Sequence, residues 1–158
     1  MRTLIIAYGN TDRQDDGVSW AVLRELAVKL GGEFPATPQE CSELELQNAD
    51  LRCMLQLTPE IADDFNRYQK VVFIDAHTGS VTEDIHLEEL SSRYQSSPLT
   101  HHLTPASCLA IAQDLHGSAP EALLVSVRGY EFGFQQGLSE RTKTLVPGAV
   151  TRILDWIK

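Results

Sequence analysis

The sequence carries six acidic or imidazole side chains at points where a strand or helix is predicted to begin or end. These candidates are Asp15, Asp16, Asp75, His77, His101 and His102. Carboxylate oxygens and imidazole nitrogens both bind borderline divalent metals such as nickel or zinc. Three protein ligands leave coordination positions open for water or a substrate. Two carboxylates and one imidazole from separate loops would therefore suit a divalent metal, provided that the loops meet.

The first candidate is the acidic pair Asp15-Asp16, which follows the turn signal Gly9-Asn10. Neither a glycine-rich dinucleotide loop nor a P-loop lysine accompanies it, and two carboxylates repel phosphate. The pair would instead attract a cation or a basic group. The structural alternative is that both acids cap the next helix, where a carboxylate stabilises the helix by up to about 1 kcal/mol. The pair alone leaves both interpretations open.

The second candidate is Asp75, which ends the apolar run Val-Val-Phe-Ile-Asp at 71–75. A carboxylate at the end of a buried strand is costly unless it meets a metal, a cationic partner or backbone donors. The alternative is that Asp75 only caps the following loop. His77 is within reach of the same sheet edge, but a solvent-facing position is the favoured interpretation for it.

The third candidate is the pair His101-His102, just before the helix start Thr104-Pro105. Histidine is the commonest metal ligand and titrates near neutral pH. Only one of two consecutive histidines can easily point into a cleft. The alternative is that both form the polar end of a loop.

Other catalytic arrangements fit the sequence less well, since it has neither a GxSxG elbow nor an HExxH motif. Cys108 shares an apolar helical stripe with Leu109 and Ile111, which favours a core position over a nucleophile. The cysteines Cys41, Cys53 and Cys108 lack CxxC spacing, which argues against a disulfide framework or structural zinc. They favour a reducing, cytoplasmic location. The aromatic, glycine-rich segment 128–134 either lines the cleft or packs as a loop.

The elements that must position these residues alternate between strand and helix patterns. Strands are predicted at 3–8, 71–75 and 122–127, with weaker ones at 44–46, 53–57 and 85–87. Helices are predicted at 17–30, 58–65 and 104–117, and from Ser139 to the end. Such alternation indicates an α/β fold with a mostly parallel sheet covered by helices on both faces. Ligands of such folds lie beyond the carboxyl ends of the strands.

The length and the net charge of the chain limit the number of domains and the kinds of partner that it can bind. The 158 residues, 42% of them hydrophobic, predict one domain over 1–158. A formal net charge of -9 disfavours nucleic acid and anionic membranes as partners, and favours a cation or a basic protein surface. The first ten residues lack a signal-peptide pattern, and no apolar stretch has the length of a membrane span.

Taken together, the segments resemble the hydrogenase maturation protease family over nearly the whole chain. The resemblance rests on MRTLIIAYGN with DRQDDGV, VVFIDA, HHLTPASCLAIAQDLHG, and ALLVSVRGYEF with GLS, in that order and spacing. It implies a three-layer, phosphorylase/hydrolase-like α/β sandwich. It also implies an endopeptidase that removes the C-terminal extension of a nickel–iron hydrogenase large subunit after nickel insertion.

The resemblance further implies that nickel carried by the substrate is the recognition element. Carried over to this sequence, its ligands are Asp16, Asp75 and His101, and zinc or cadmium could replace nickel in crystals. Asp15, His102 and His77 are the alternates. The partner is the large-subunit precursor.

Two departures from the family pattern bear on activity. The family's usual glycine two residues before Gly9 is Ala7 here, and its Gly-Gly-Thr loop is replaced by LQLTPE at 55–60. The second departure motivates an alternative function, a non-catalytic nickel-dependent binding module or chaperone for the large subunit. A further alternative is another hydrolase on the same scaffold, acting on nucleosides or on peptidyl-tRNA. The charge of -9 argues against the tRNA substrate.

Overall fold

The computed structural model describes residues 2–34, 42–93 and 103–158. The strands are β1 Arg2–Tyr8, β2 Ser42–Glu45, β3 Ala49–Met54, β4 Tyr68–His77, β5 Ile85–Leu90 and β6 Glu121–Arg128. The α-helices are α1 Val18–Lys29, α2 Pro105–His116, α3 Glu140–Lys143 and α4 Val146–Ile157, with 3-10 helices at Gln14–Gly17 and Pro59–Arg67. The predicted residues His101, His102 and Cys41 lie outside the described residues.

The six strands form one mixed sheet in the order β2-β3-β1-β4-β6-β5. The four inner strands β3, β1, β4 and β6 are parallel, whereas β2 and β5 pair antiparallel at the two edges. The carboxyl ends of β1, β4 and β6 therefore meet at one edge of the sheet, which confirms the predicted α/β architecture.

Apolar residues on the two faces of the sheet build two separate cores. On one face α1 and α4 cover residues such as Ile5, Ile74 and Val125. On the other face α2 and the 3-10 helix Pro59–Arg67 cover residues such as Leu4 and Phe73. Because strand side chains alternate between faces, the VVFID run splits its apolar residues between both cores. The fold is therefore a three-layer sandwich, as predicted.

The weakly patterned regions differ from the prediction. The strand predicted at 53–57 is instead β3, Ala49–Met54, and the helix after Thr58 is a 3-10 helix. The last helix is divided, because Ser139 caps the short α3 before α4 begins at Val146. Within the described residues, no helix is both long and apolar enough to cross a membrane.

Candidate active site

The end of β1 and the end of β4 place a tyrosine and an aspartate side by side on the α2 face of the sheet. Ala7 of β1 pairs with Ile74 of β4, so Tyr8 lies next to Asp75 in register. The side chains of Tyr8 and Asp75 are both half-buried and share a hydrogen bond. Since the carboxylate accepts, the Tyr8 hydroxyl donates it.

Gly9 lets the chain turn sharply after β1 and bring Asp16 to the same edge. Its φ of 149° is unfavourable for other residues, and a Cβ there would collide with the Asp16 carbonyl oxygen. The Gly9 amide donates to the Met54 carbonyl at 3.2 Å. The amide of Asn10 donates to Asp16 Oδ2 at 2.7 Å, which orients that carboxylate. The Gly9-Asn10 turn signal thus has a physical role in the placement of Asp16.

Asp75 and Asp16 are close enough to influence each other's charge. The Asp75 Oδ1 atom accepts a hydrogen bond from the Ala76 amide at 2.8 Å. Burial raises the pKa of Asp75 to about 6, and the negative charge of Asp16 adds to the rise, against the hydrogen bonds from Ala76 and Tyr8. Burial and the neighbouring charge of Asp75 also raise the pKa of Tyr8. Two neighbouring carboxylates form an electrostatically unfavourable pair that a bound cation would relieve.

Asp15 has a different environment from Asp16, although the two are adjacent. It is fully buried, and its carboxylate accepts from the amides of Tyr130, Glu131 and Ser139 at 2.7–2.9 Å. The hydroxyls of Ser139 and Thr142 lie at 2.7 and 2.9 Å. Burial alone would raise the pKa of Asp15, but these hydrogen bonds outweigh it and hold that pKa below its usual range. Asp15 therefore anchors the loop after β6 instead of facing Asp75 at the carboxyl edge of the sheet.

His77 is buried, with 7% of its surface exposed, so the interpretation that it faces solvent is wrong. Its Nδ1 atom accepts from the Gly79 amide at 3.1 Å. Nδ1 therefore carries no proton, and Nε2 donates to the Glu83 carbonyl at 2.9 Å. Both ring nitrogens serve the turn after β4, which leaves neither of them free for a metal in this conformation.

The parts of the chain that the structure describes contain no group of three or more His, Cys, Asp or Glu side chains arranged to hold a metal. The predicted ligand His101 and its alternate His102 lie outside those parts. Asp16 and Asp75 are the two predicted ligands that the fold brings together.

Comparison with known structures places this arrangement in a familiar fold. The hydrogenase maturating endopeptidase HybD from E. coli is 16% identical, with a TM-score of 0.69 over 99% of this chain and 92% of that one. The [NiFe] hydrogenase maturation protease HybD from Thermococcus kodakarensis is 21% identical, with a TM-score of 0.63 and complete coverage of both chains. The hydrogenase 2 maturation peptidase from a Thaumarchaeota archaeon is 19% identical, with a TM-score of 0.64 over 99% and 98% of the two chains.

The chain has the hydrogenase maturation protease fold. The sequence itself matches no family model and no curated protein. At these identities the similarity establishes the fold, and the chemistry must be argued from the residues.

Within the hydrogenase maturation protease fold, sequence reasoning missed Tyr8. The signal for it was a tyrosine at the end of a strand, directly before the Gly9 turn. Its proximity to Asp75 depends on the pairing register of β1 and β4, which no local pattern reveals. Cys108, in contrast, is buried as predicted, and burial raises the pKa of its thiol to about 12. The prediction that it is a core residue is confirmed, since the thiolate needed for nucleophilic attack is disfavoured.

Replacing Asp75 with asparagine is expected to stabilise the protein at neutral pH. The folded-state pKa of about 6 exceeds the ordinary value of 3.8, so ionisation of Asp75 weakens the folded state. The difference corresponds to about 2–3 kcal/mol in the free energy of unfolding. Because the folded state holds the proton more tightly, wild-type stability falls as pH rises from about 4 to about 6. Urea denaturation across this pH range would measure both effects.

The matched control for this experiment is Asp12→Asn, an exposed acid in the Gly9–Asp16 loop. We expect the gain of Asp75→Asn to disappear below a pH of about 4, where aspartates are protonated in both states. The control should show no comparable gain at any pH. A variant that is no more stable than wild type at neutral pH would contradict the role of burial at Asp75.

Proposed function

We propose that this protein is an endopeptidase that removes the C-terminal extension of a nickel–iron hydrogenase large subunit after nickel insertion. The observation that carries the proposal is the convergence of Asp16 and Asp75 at the carboxyl edge of the sheet. This is where ligands of α/β folds bind. The hydrogenase maturation protease fold supports the same assignment.

In this proposal the metal belongs to the substrate. Asp16, Asp75 and His101 bind the nickel of the precursor, and the Tyr8 hydroxyl holds the carboxylate of Asp75 in place. Recognition of the metal reports that nickel insertion is complete and fixes the scissile bond beside the site, a proximity effect. A divalent metal also supplies Lewis acidity that polarises a carbonyl group or activates water.

The stretch at 55–60 bears on whether the site cleaves or only binds. It follows β3, and the exposed Leu55 and the buried Leu57 give it a more apolar character than a Gly-Gly-Thr loop. The Met54 carbonyl just before it accepts from the Gly9 amide, so this stretch borders the loop that presents Asp16. Cleavage would require the substrate peptide to pass this apolar border.

The test is to incubate the purified protein with a nickel-loaded large-subunit precursor and to follow the intact mass of the precursor. We expect a loss equal to the mass of the C-terminal extension, and no loss from a nickel-free precursor. Stable binding without a loss of mass would support the binding-module alternative instead. Absence of both binding and cleavage would overturn the assignment to hydrogenase maturation.

A further inference from the structure

A second group of side chains lies on the same sheet face and at the same edge as Asp75. Asp75 of β4 pairs with Ser126 of β6, and His77 pairs with Arg128. Arg128 is thus one strand over from Asp75 and two positions further along. Since strand side chains alternate, Ser126 and Arg128 share the face that carries Asp75.

The guanidinium group of Arg128 is held by the fold, although no acid among the described residues binds it. Its terminal nitrogen lies directly over Gly79, where a Cβ would overlap with it and where φ is 105°. On another side lies the ring of Tyr130, with 4.8 Å between the guanidinium carbon and the ring centroid. The Nε atom of Arg128 is buried and has no hydrogen-bond partner. A buried donor without an acceptor costs free energy, so this arginine is poorly explained by fold stability alone.

Arg141 is the second cation at the same ring. Its guanidinium carbon lies 3.8 Å from the centroid of Tyr130, and its side chain is exposed. The Tyr130 hydroxyl donates to Asp84 at 3.1 Å, which fixes the ring that both arginines contact. We name the set Arg128, Tyr130 and Arg141 the arginine clamp.

The arginine clamp differs from the other stacked arginines of the described residues. Arg13, over the ring of Phe134, donates from its Nε atom to the Phe132 carbonyl. Arg52 and Arg67 also contact a tyrosine ring, that of Tyr68, but both form ion pairs with Asp64. Neither arginine of the clamp has a carboxylate within ion-pair distance in the described parts of the chain. The Asp84 carboxylate accepts from the Tyr130 hydroxyl instead. Within the described residues both guanidinium groups therefore lack an ion-pair partner, although the protein has a net charge of -9.

We infer that the arginine clamp binds a carboxylate of the substrate's C-terminal extension. This inference rests on the proposed function. A guanidinium group presents paired donors that match a carboxylate, and an anion bound at either arginine would supply the ion-pair partner that both lack. The carboxylate is either the terminal α-carboxylate or an acidic side chain of the extension. A peptide that leaves the Asp75 edge along this face of the sheet reaches Arg128 next.

The test uses a fluorescein-labelled peptide that has the sequence of the extension removed from a hydrogenase precursor, in three forms. One form has a free C-terminal acid, one has a C-terminal amide, and one has its acidic side chains replaced by Asn and Gln. Fluorescence anisotropy with the wild-type protein gives the affinity for each. Weakening on amidation identifies the α-carboxylate as the group bound, and weakening in the third form identifies an acidic side chain.

Arg128→Gln and Arg141→Gln are each expected to weaken binding of the preferred form by about 10-fold or more. Arg24→Gln is the matched control, since it removes one exposed positive charge from α1 on the opposite face. Arg141 is exposed, so its variant tests the clamp even if Arg128→Gln folds poorly. Absence of peptide binding, equal affinity for all three forms, or an equal effect of Arg24→Gln would overturn the inference.

The outcomes separate this inference from the proposed function. In one outcome both clamp variants cleave the precursor as fast as wild type and bind the peptide with wild-type affinity. This would contradict the inference about the clamp and leave the proposed endopeptidase function intact. Carboxylate-dependent peptide binding without precursor cleavage would support the inference about the clamp and contradict the proposed endopeptidase function.

Discussion

Asp16→Ala is expected to lower the rate of cleavage of a nickel-loaded precursor by at least about 100-fold, because the proposed function makes Asp16 a direct ligand of the nickel. The free energy of unfolding should change by only about 1 kcal/mol, since within the described residues the Asp16 carboxylate accepts one hydrogen bond, from the Asn10 amide. The measurement is the rate at which the precursor loses mass, with urea denaturation of the variant alongside. We therefore expect a large loss of cleavage rate with only a small change in the free energy of unfolding.

Asp12→Ala is the control for this experiment. Asp12 lies in the same loop and is exposed, and its Oδ1 atom accepts from the side-chain amide of Gln136 at 3.0 Å. It removes the same charge a few residues away, so it tests whether general electrostatic attraction explains the result. His101→Ala should match Asp16→Ala in its loss of cleavage. Wild-type cleavage rates in both the Asp16 and the His101 variants would refute the ligand assignment.

The fold was predictable where apolar periodicity is strong. The runs at 3–8, 71–75 and 122–127 became β1, β4 and β6, because β-branched residues buried on both faces suit the inner strands of a parallel sheet. The helix start Thr104-Pro105 was equally reliable, since the Thr104 side chain accepts from the Ser107 amide and Gly117 ends α2 in the left-handed conformation. These strands and this helix depend on residues that are close together in the sequence, so the sequence alone predicts them.

Elements with weak apolar patterns were predicted less well, because contacts with distant residues decide their structure. The residues 49–54 contain Asp50 and Arg52, which is typical of a polar stretch. In the structure Asp50 pairs with Arg2 and accepts from the Tyr68 hydroxyl, and Arg52 pairs with Asp64. Long-range ion pairs thus allow charged residues in β3, and a single sequence does not reveal them.

The candidate site also combines features that the local sequence predicts with features that depend on distant contacts. The strand-end position of Asp75 was visible in the sequence, whereas its hydrogen bond with Tyr8 depends on strand register. His77 was misjudged because its two partners, the Gly79 amide and the Glu83 carbonyl, belong to a turn whose shape the sequence does not specify. Whether His101 joins Asp16 and Asp75 stays a prediction.

Asp15→Asn is expected to lower the free energy of unfolding by about 3–5 kcal/mol, the largest effect on stability that we predict. Four of the groups around the carboxylate approach Oδ2, and the Ser139 amide approaches Oδ1. An asparagine has a single acceptor oxygen, so its amide group must face donors on one side. The partly buried amides of Tyr130 and Glu131 or of Ser139 then lose their partner, and each loss costs about 1–3 kcal/mol. Urea denaturation at neutral pH would measure the change.

The control is Asp16→Asn, which makes the same substitution at the next residue and should cost about 1 kcal/mol or less. The pKa of Asp15 is lowered in the folded state, so its stabilisation is fully present above the ordinary value of 3.8 and is lost as pH falls through the folded-state value. The stability difference between wild type and Asp15→Asn should therefore narrow in acid. Equal costs at positions 15 and 16 would contradict this division of roles. Because Asp15 binds the Tyr130 amide, the same variant should also weaken carboxylate binding by the arginine clamp, a result that Asp16→Asn should not reproduce.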